Sequence, residues 1–593
     1  MNGVEKLKSE STELPDCIIS DIFSMLSLKT LVKTSALSKQ WYREWGLKKD
    51  LNFDLHNMFD SNTMPELPKT LPRLQEAQSQ FATILDNFMQ KYPGDTISSI
   101  RVNFPLGVDH TYAIKGLIHK AALKGANRIE LLFPCDADFK IEPYKFLFPL
   151  LSDTNSVTYL HLQNCHIAAP MKFSGLKNLK TLVLHLVPVE QNMLRPLCFN
   201  CIHLENFTLN QCTFLSDLKI RSTTLLHLNI DCGRNITKAT MAKKIDIIAS
   251  NLLSIEYSSK CIHSRRLHKL NIRSHTLSQF NYRCRRIFKL VNFSGLKNVT
   301  TIVLDDLHEV LPGDGDVITW LFSKCLQLED VTFKNCLFMC DMKIISSKLR
   351  HLSIIDSRCV RLSKNQDSYK IDIDALNLSS FEYGNHTSYM RPIISVEAPK
   401  LLKVFWDGLF EINSFGAIAR LRQVENLTMK LVVSQWRQIS TLPKELVQIQ
   451  NLTQLELIIT FNLKMMDYSW ILDIAMTSQH LQKLSLSINV HPEISHIVGA
   501  QRQRREYVGF FHNGLKYVEL HGCVCSKYVI ELASHLLRSA TLLKQITFSS
   551  RHNYYIGAGS WTKLSGGCRS FDRNLIHEHL KDEVNEQCQL IIL

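Results

Sequence analysis

From about residue 157 the chain repeats one arrangement of apolar positions. Two apolar residues stand three apart, a third follows two further on, and a cysteine often follows three beyond that. Val157, Leu160, Leu162 and Cys165 set the pattern, and Leu204, Phe207, Leu209 and Cys212 repeat it, as do Leu328, Val331, Phe333 and Cys336. Shorter forms begin at Leu179, Leu225, Leu349, Leu452 and Leu481. The apolar–x–apolar step has the period of two that belongs to a strand, so each unit predicts one short strand with alternate residues turned inward. Before residue 57 the period changes. Ile18, Ile19, Ile22, Phe23 and Leu26 fall at one-turn spacings and predict an amphipathic helix from Asp16 to about Leu26.

The spacing L-x-x-L-x-L-x-x-C/N, recurring every twenty to thirty residues or so, is that of leucine-rich repeats. Such units stack into a curved array whose core is continuous and whose concave face, lined by parallel strands, is the default binding surface. The cysteine or asparagine that closes a unit is expected to satisfy backbone groups in the turn, which makes Cys165, Cys212 and Cys336 structural thiols. The array also carries a duplication. Phe173-Ser174-Gly175-Leu176-Lys177-Asn178 returns as Phe293-Ser294-Gly295-Leu296-Lys297-Asn298, an offset of 293 − 173 = 120. Asp217-Leu218-Lys219-Ile220 answers to Asp341-Met342-Lys343-Ile344, and Ile245-Asp246-Ile247 to Ile371-Asp372-Ile373. The copies span about 173–257 and 293–383.

The N-terminal helix opens on Leu14-Pro15-Asp16, with Pro15 where a missing N–H costs nothing and Asp16 near the positive end of the helix dipole. A second helix is predicted from about Lys29 to Ala36 with Leu31 and Val32 inward. A third follows Ser38, with Trp41 and Trp45 one turn apart. So short a module cannot bury all these side chains by itself. The ordered set Leu14-Pro15, Leu37-Ser38, Trp41 and Trp45 resembles the F-box, a module that plugs proteins into cullin-based ubiquitin ligases through a SKP-type adaptor. The resemblance implies that Leu14, Pro15, Ile18, Ile22, Leu26, Leu31, Val32, Leu37, Ser38, Trp41 and Trp45 form the adaptor-binding set. Two departures stand out: Ser27 where members often carry Pro, and Gly46 directly after Trp45.

Near the C-terminus, Leu515–Gly522 reads as a strand, Glu531–Leu537 as a helix and Leu542–Phe548 as another strand. This resembles the FBD region that closes many plant F-box and leucine-rich-repeat proteins. The expected fold is α/β: a small three-helix F-box over 10–56, a linker and capping helix over 57–95 with Phe81, Ile84, Leu85 and Phe88 on one face, an irregular leucine-rich-repeat solenoid over 96–500, and an FBD-like α/β cap over 505–593. The resemblance implies a non-catalytic substrate-recognition subunit. It would join a SKP-type adaptor, and through it a cullin, to an unidentified target on the solenoid.

Composition narrows the alternatives. At 593 residues and 45% hydrophobic the chain suits an elongated array better than one compact core. Seventeen cysteines in no tight framework fit a reducing compartment, the nucleus or cytoplasm. The first residues carry no apolar run of a secretory signal, and no stretch is long and uncharged enough to span a bilayer. There is no phosphate loop, G-x-S-x-G elbow or H-E-x-x-H helix, so no cofactor or metal is expected. The formal charge of 69 − 55 = +14 raises a second reading. Arg265, Arg266, Arg273, Arg283, Arg285 and Arg286 stand in an acid-free stretch. They fit a solvated face, an acidic or phosphorylated partner or, least favoured, nucleic acid.

Overall fold

A computed structural model describes residues 18, 21–22, 25–35, 45–60, 62, 64–134, 141–151, 155–167, 175–214, 217–233, 244–259, 269–284, 294–308, 317–339, 341–359, 368–385, 391–408, 421–433, 449–461, 469–490, 510–522, 524–551, 553–557, 560–563 and 571–593. The chain divides into two compact units, Met1–Leu277 with Phe288–Gly295 and Ser278–Ile287 with Leu296–Leu593. Both are built from strands that pair in parallel and in chain order. In the first unit the ladder runs Asp50–Asp54, Ser99–Asn103, Arg128–Leu132, Tyr159–Gln163, Thr181–His185, Asn206–Asn210, His227–Asp231 and Ser254–Ser259. In the second it runs from Gln279–Cys284 through Thr301–Asp305, Asp330–Lys334, His351–Ile355, Ser380–Asn385 and Lys403–Gly408. It continues through Asn426–Val433, Gln454–Phe461, Lys483–Val490, Tyr517–Gly522 and Gln545–Ser549 to Gln589–Ile592.

The repeat grammar predicts this register directly. Leu182, Phe207 and Leu228 stand opposite one another, as do Leu184, Leu209 and Ile230, and each is 2% exposed or less. Aligned apolar rows of this kind give a core that every added unit extends. The cysteines behave as expected. Cys212 Sγ lies 3.3 Å from the Leu184 carbonyl oxygen and Cys336 Sγ 3.3 Å from that of Leu304, and burial pushes both thiols up to about 12.

One device is invisible in the repeat spacing. The residue just after the strand takes a left-handed conformation: Asn164 (φ 52°), Leu186 (54°), Gln211 (51°), Asp306 (60°), Asn335 (53°) and Asp356 (50°). Its amide then donates to a carbonyl at the end of the next strand, as Asn164 does to His185 and Asn335 to Ile355, both at 2.9 Å. The ladder thus gains one more bond at the point where the chain turns away, repaying part of the strain that non-glycine residues carry there.

The duplication is structural down to single hydrogen bonds. Beside each main ladder lies a second parallel sheet, Leu218–Ser222 with Lys244–Ala249 and Lys269–Arg273 in the first unit, Met342–Ile345 with Ser368–Asp374 and Arg391–Glu397 in the second. Asp217 Oδ1 accepts from the Lys244 amide at 3.1 Å, and Asp341 Oδ1 from the Lys370 amide at 2.9 Å. Ser222 Oγ caps the turn at Leu225 and Ser346 Oγ the turn at Leu349, both at 3.2 Å. These third strands carry the duplication past the residue 257 and 383 limits read from sequence.

Three expectations change. Asp50–Asp54, placed inside the helical module, is a strand paired residue for residue with Ser99–Asn103. The helix Leu71–Lys91 therefore connects the first two strands of the ladder instead of capping it. Pro72 lies in its first turn, and Ile84 is 37% exposed while Leu74, Ala77 and Phe81 take the inward face. The third correction is at the C-terminal end. The FBD-like strands Tyr517–Gly522 and Gln545–Ser549 continue the same parallel ladder, with helix Lys527–Ser539 between them, so this region is more of the array and not a separate cap.

Candidate functional site

The first candidate surface is the N-terminal helical module. Ile18, Asp21, Ile22 and Met25 are helical and the chain bends at Leu26. The next helix is Leu28–Ser35, within a residue of its predicted bounds. Ser27, the departure from proline, earns its place as a cap: its Oγ accepts the Thr30 amide at 3.2 Å. Lys48 Nζ donates to the Leu26 carbonyl at 2.8 Å, satisfying an orphan oxygen at the end of the first helix; burial lowers its pKa.

This module divides its apolar residues between two uses. Leu31 is fully buried and Trp45 is 3% exposed. The Trp45 ring stands edge-on to Phe88 at 5.1 Å and to Tyr92 at 5.9 Å, both from the end of the long helix and its cap. Tyr92 donates to the Gly46 and Lys48 carbonyls at 3.0 and 2.9 Å. Gly46 is required here, because a Cβ would meet the Gly94 amide nitrogen at 2.6 Å. Trp45 lies in a short 3₁₀ turn, Trp45–Leu47. Leu31 and Trp45, which the resemblance gave to the adaptor, are interior groups, and the Trp45 ring packs the module against the long helix. Lys29 adds to this, donating to the Phe59 carbonyl at 2.6 Å and pairing with Asp60 at 3.4 Å.

The other residues face outward. Ile18 is 43% exposed, Ile22 36%, Val32 44% and Met25 85%. Ile18, Ile22 and Met25 stand at i, i+4 and i+7, one stripe of one helix. Met25 was missed in the sequence reading, although the same periodicity that selected Ile18 and Ile22 points to it; Leu26 is half-buried at the bend. Leu14, Pro15, Leu37, Ser38 and Trp41 lie outside the described residues.

The second candidate surface is the outward row of the second unit's ladder. Between the two inward apolar residues of each strand stands one outward residue. Ser353, Glu382, Phe405, Thr428, Glu456, Ser485 and Glu519 follow one another in register across seven strands. Glu456, Lys483, Ser485 and Glu519 border a cavity of about 100 Å³. His521, 3.7 Å away, and Lys483, 2.8 Å away, hold the Glu519 carboxyl down at about 2. Burial instead pushes Glu456 up to about 7. Further along, Asp407 is buried and takes Lys430 at 2.9 Å.

Of the six arginines of the possible anionic-partner patch, Arg273 and Arg283 fall among the described residues. Arg273 is exposed on the second sheet of the first unit, whereas Arg283 stands on a main-ladder strand of the second and is paired with Asp305 at 2.8 Å. Arg265, Arg266, Arg285 and Arg286 lie outside the described residues. Among those residues no group of His, Cys, Asp and Glu is placed to hold a metal ion, and no helix is long and apolar enough to cross a membrane.

A parallel ladder of leucine-rich repeats preceded by a short helical module with an exposed apolar stripe defines the class. Comparison with known proteins gives the family. The At1g61320/AtMIF1 LRR domain matches twice, over residues 89–313 and 313–585, and the F-box domain matches residues 11–49. The chain belongs to the plant F-box/FBD/leucine-rich-repeat family. Its relatives in Arabidopsis thaliana include the F-box/FBD/LRR-repeat protein At4g00160, 26% identical over 33% of this chain and 40% of the relative. The putative FBD-associated F-box protein At1g61330 is 27% identical over 35% and 41%. The F-box/LRR-repeat protein At3g26922 is 23% identical over 45% of this chain and 88% of its own length. The chain thus spans well under half the length of the first two. The F-box match ends at residue 49, one residue before the first strand of the ladder, and the second repeat match runs through the FBD-like region.

Proposed function

We propose that this protein is a substrate-recognition adaptor of a SKP–cullin–F-box ubiquitin ligase. Its N-terminal module docks a SKP-type adaptor, and through it a cullin. The outward row of its ladder holds a target protein for ubiquitination. The protein carries out no chemistry itself; it raises the local concentration of target lysines near the conjugating enzyme. This work belongs to the nucleus or cytoplasm. The observation that carries the reading is the split within the F-box match: Leu31 and Trp45 anchor the module inward, which leaves Ile18, Ile22, Met25 and Val32 as an apolar stripe facing out. An exposed apolar patch of this kind marks a protein-binding site.

The test is a pull-down of the full chain with a purified SKP-type adaptor. Native protein is expected to retain the adaptor. Ile18→Asp with Ile22→Asp is expected to lose it by at least tenfold, and Leu14→Ala with Pro15→Ala to weaken it, with circular dichroism unchanged. Retention by the double-aspartate variant equal to native sinks the proposal.

A further inference from the structure

The second unit holds an antiparallel hairpin, Asn553–Gly557 with Ser560–Lys563, in contrast to its parallel ladders. It follows the strand Gln545–Ser549 but makes its contacts far back along the ladder. Tyr555 donates its hydroxyl to Glu382, 173 residues away in sequence. Its ring stacks on Phe405, centroid to centroid at 3.9 Å and 20° from parallel, and Trp561 stands edge-on to Tyr555 at 5.1 Å. Glu382 and Phe405 are neighbours in the outward row, directly opposite each other in the register. Glu382 is 2% exposed and Phe405 7%.

A carboxylate so fully withdrawn from water needs donors, and a ring lying flat on the row needs a planar partner. Tyrosine supplies both at once, the hydroxyl for Glu382 and the face for Phe405. Phenylalanine lacks the donor, and a phosphotyrosine would set a dianion against a carboxylate. We propose that Glu382 and Phe405 form a docking site for a tyrosine carried on an extended polypeptide segment, and that Tyr555 occupies this site from within the chain. A target that binds there competes with the hairpin. The tether gives the hairpin a high effective concentration, so only a segment that also gains contacts along the neighbouring strands displaces it. This deepens the target-binding half of the proposed function and does not involve the adaptor.

The test uses a fluorescein-labelled synthetic peptide of residues 550–564 and the full-length chain, read by fluorescence polarisation. The Tyr555→Ala chain, its site vacated, is expected to bind the peptide saturably, and native chain at least tenfold more weakly. The peptide phosphorylated at Tyr555 is expected to lose at least tenfold, as is the native peptide against Tyr555→Ala/Glu382→Ala chain. Tyr555→Phe chain, which keeps the stack and loses the hydroxyl, is a second receptor that leaves the hairpin least disturbed and is expected to bind between native and Tyr555→Ala. Equal binding by native and Tyr555→Ala chains, or none by either variant chain with its far-ultraviolet spectrum native, overturns the proposal. Because the assay contains no SKP-type adaptor, its failure leaves the adaptor pull-down standing, and the reverse holds too.

Discussion

Ser254-Ile255-Glu256-Tyr257 and Ser380-Phe381-Glu382-Tyr383 are the same strand in the two copies of the duplication, and their glutamates have opposite surroundings. Glu256 is exposed and accepts a hydrogen bond from Asn229 at 3.1 Å, a partner on the adjacent strand. Glu382 is buried, and Tyr555 reaches it from the far end of the chain. The next strand shows what else changed: Asn281 stands where the second copy has Phe405, 124 residues later in the sequence and in the same outward row. An aromatic residue in place of a polar one leaves only the second copy with a shelf on which another element stacks. Local sequence thus sets the strand and the direction of its glutamate. The environment of that glutamate is set by a segment that no window around it contains.

If the copies differ only on their outward faces, their inward faces are interchangeable in energy. Leu209 and Phe333 hold the same inward position and both are fully buried. Leu209→Ala and Phe333→Ala are each expected to cost about 3 kcal/mol, from lost apolar burial plus the cavity left behind. Hydrogen exchange of the strands on either side is the right readout, because arrays need not unfold in one step. A difference above about 1.5 kcal/mol between the two sites would break the equivalence of the copies.

The outward faces are expected to diverge. Glu382→Ala leaves the Tyr555 hydroxyl without its carboxylate acceptor in a half-buried site, a loss of about 2 kcal/mol localised to the hairpin and the strands beneath it. Glu256→Ala removes an exposed acceptor and is expected to stay within about 0.5 kcal/mol of native. Exchange protection at residues 553–557 separates the two: it falls in the first variant and stays unchanged in the second. Equal responses would mean that the hairpin contact contributes nothing, and the contrast between the copies would then be one of appearance only.

Much of the ladder was legible because a repeat writes its register into spacing. Leu182, Phe207 and Leu228 align on spacing alone, and the duplicated Asp217 and Asp341 mark equivalent turns. Two things were not legible for physical reasons. The strand Asp50–Asp54 has the alternation of a strand but follows helices directly, so its partner at Ser99–Asn103, beyond a 21-residue helix, could not be inferred from neighbours. The hairpin was hidden differently. Its Gly557 and Ser560 pair across the turn, yet Gly557-Ala558-Gly559-Ser560 says nothing of where Tyr555 points. At the N-terminal module, helical period found Ile18 and Ile22. It could not tell them from Trp45, since a stripe that faces a partner and one that faces the next repeat look alike in sequence.

The smallest effect sharpens the comparison with a third glutamate in the row. Glu456 has neither the exposed setting of Glu256 nor a tyrosine like that on Glu382. Burial raises its pKa from the ordinary 4.5 to about 7, partly offset by Lys483, while Glu519 nearby raises it further. The folded chain therefore holds a proton that the unfolded chain has released between those values. The stabilising contribution is complete below about 4.5 and is lost as pH rises through about 7. Glu456 is partly solvated, so the shift is discounted to about 1 kcal/mol of stability across that window. Glu456→Gln removes the titration, so its stability advantage over native is expected to be absent near pH 4 and to reach about 1 kcal/mol by pH 8, read as local exchange in the strand Gln454–Phe461. Glu519 contributes with the opposite sign: its stabilisation is complete above about 4.5 and is lost as pH falls through about 2, so it leaves the range above about 4.5 flat. A Glu456→Gln chain that tracks native at every pH would show that water reaches this part of the row as freely as it reaches Glu256.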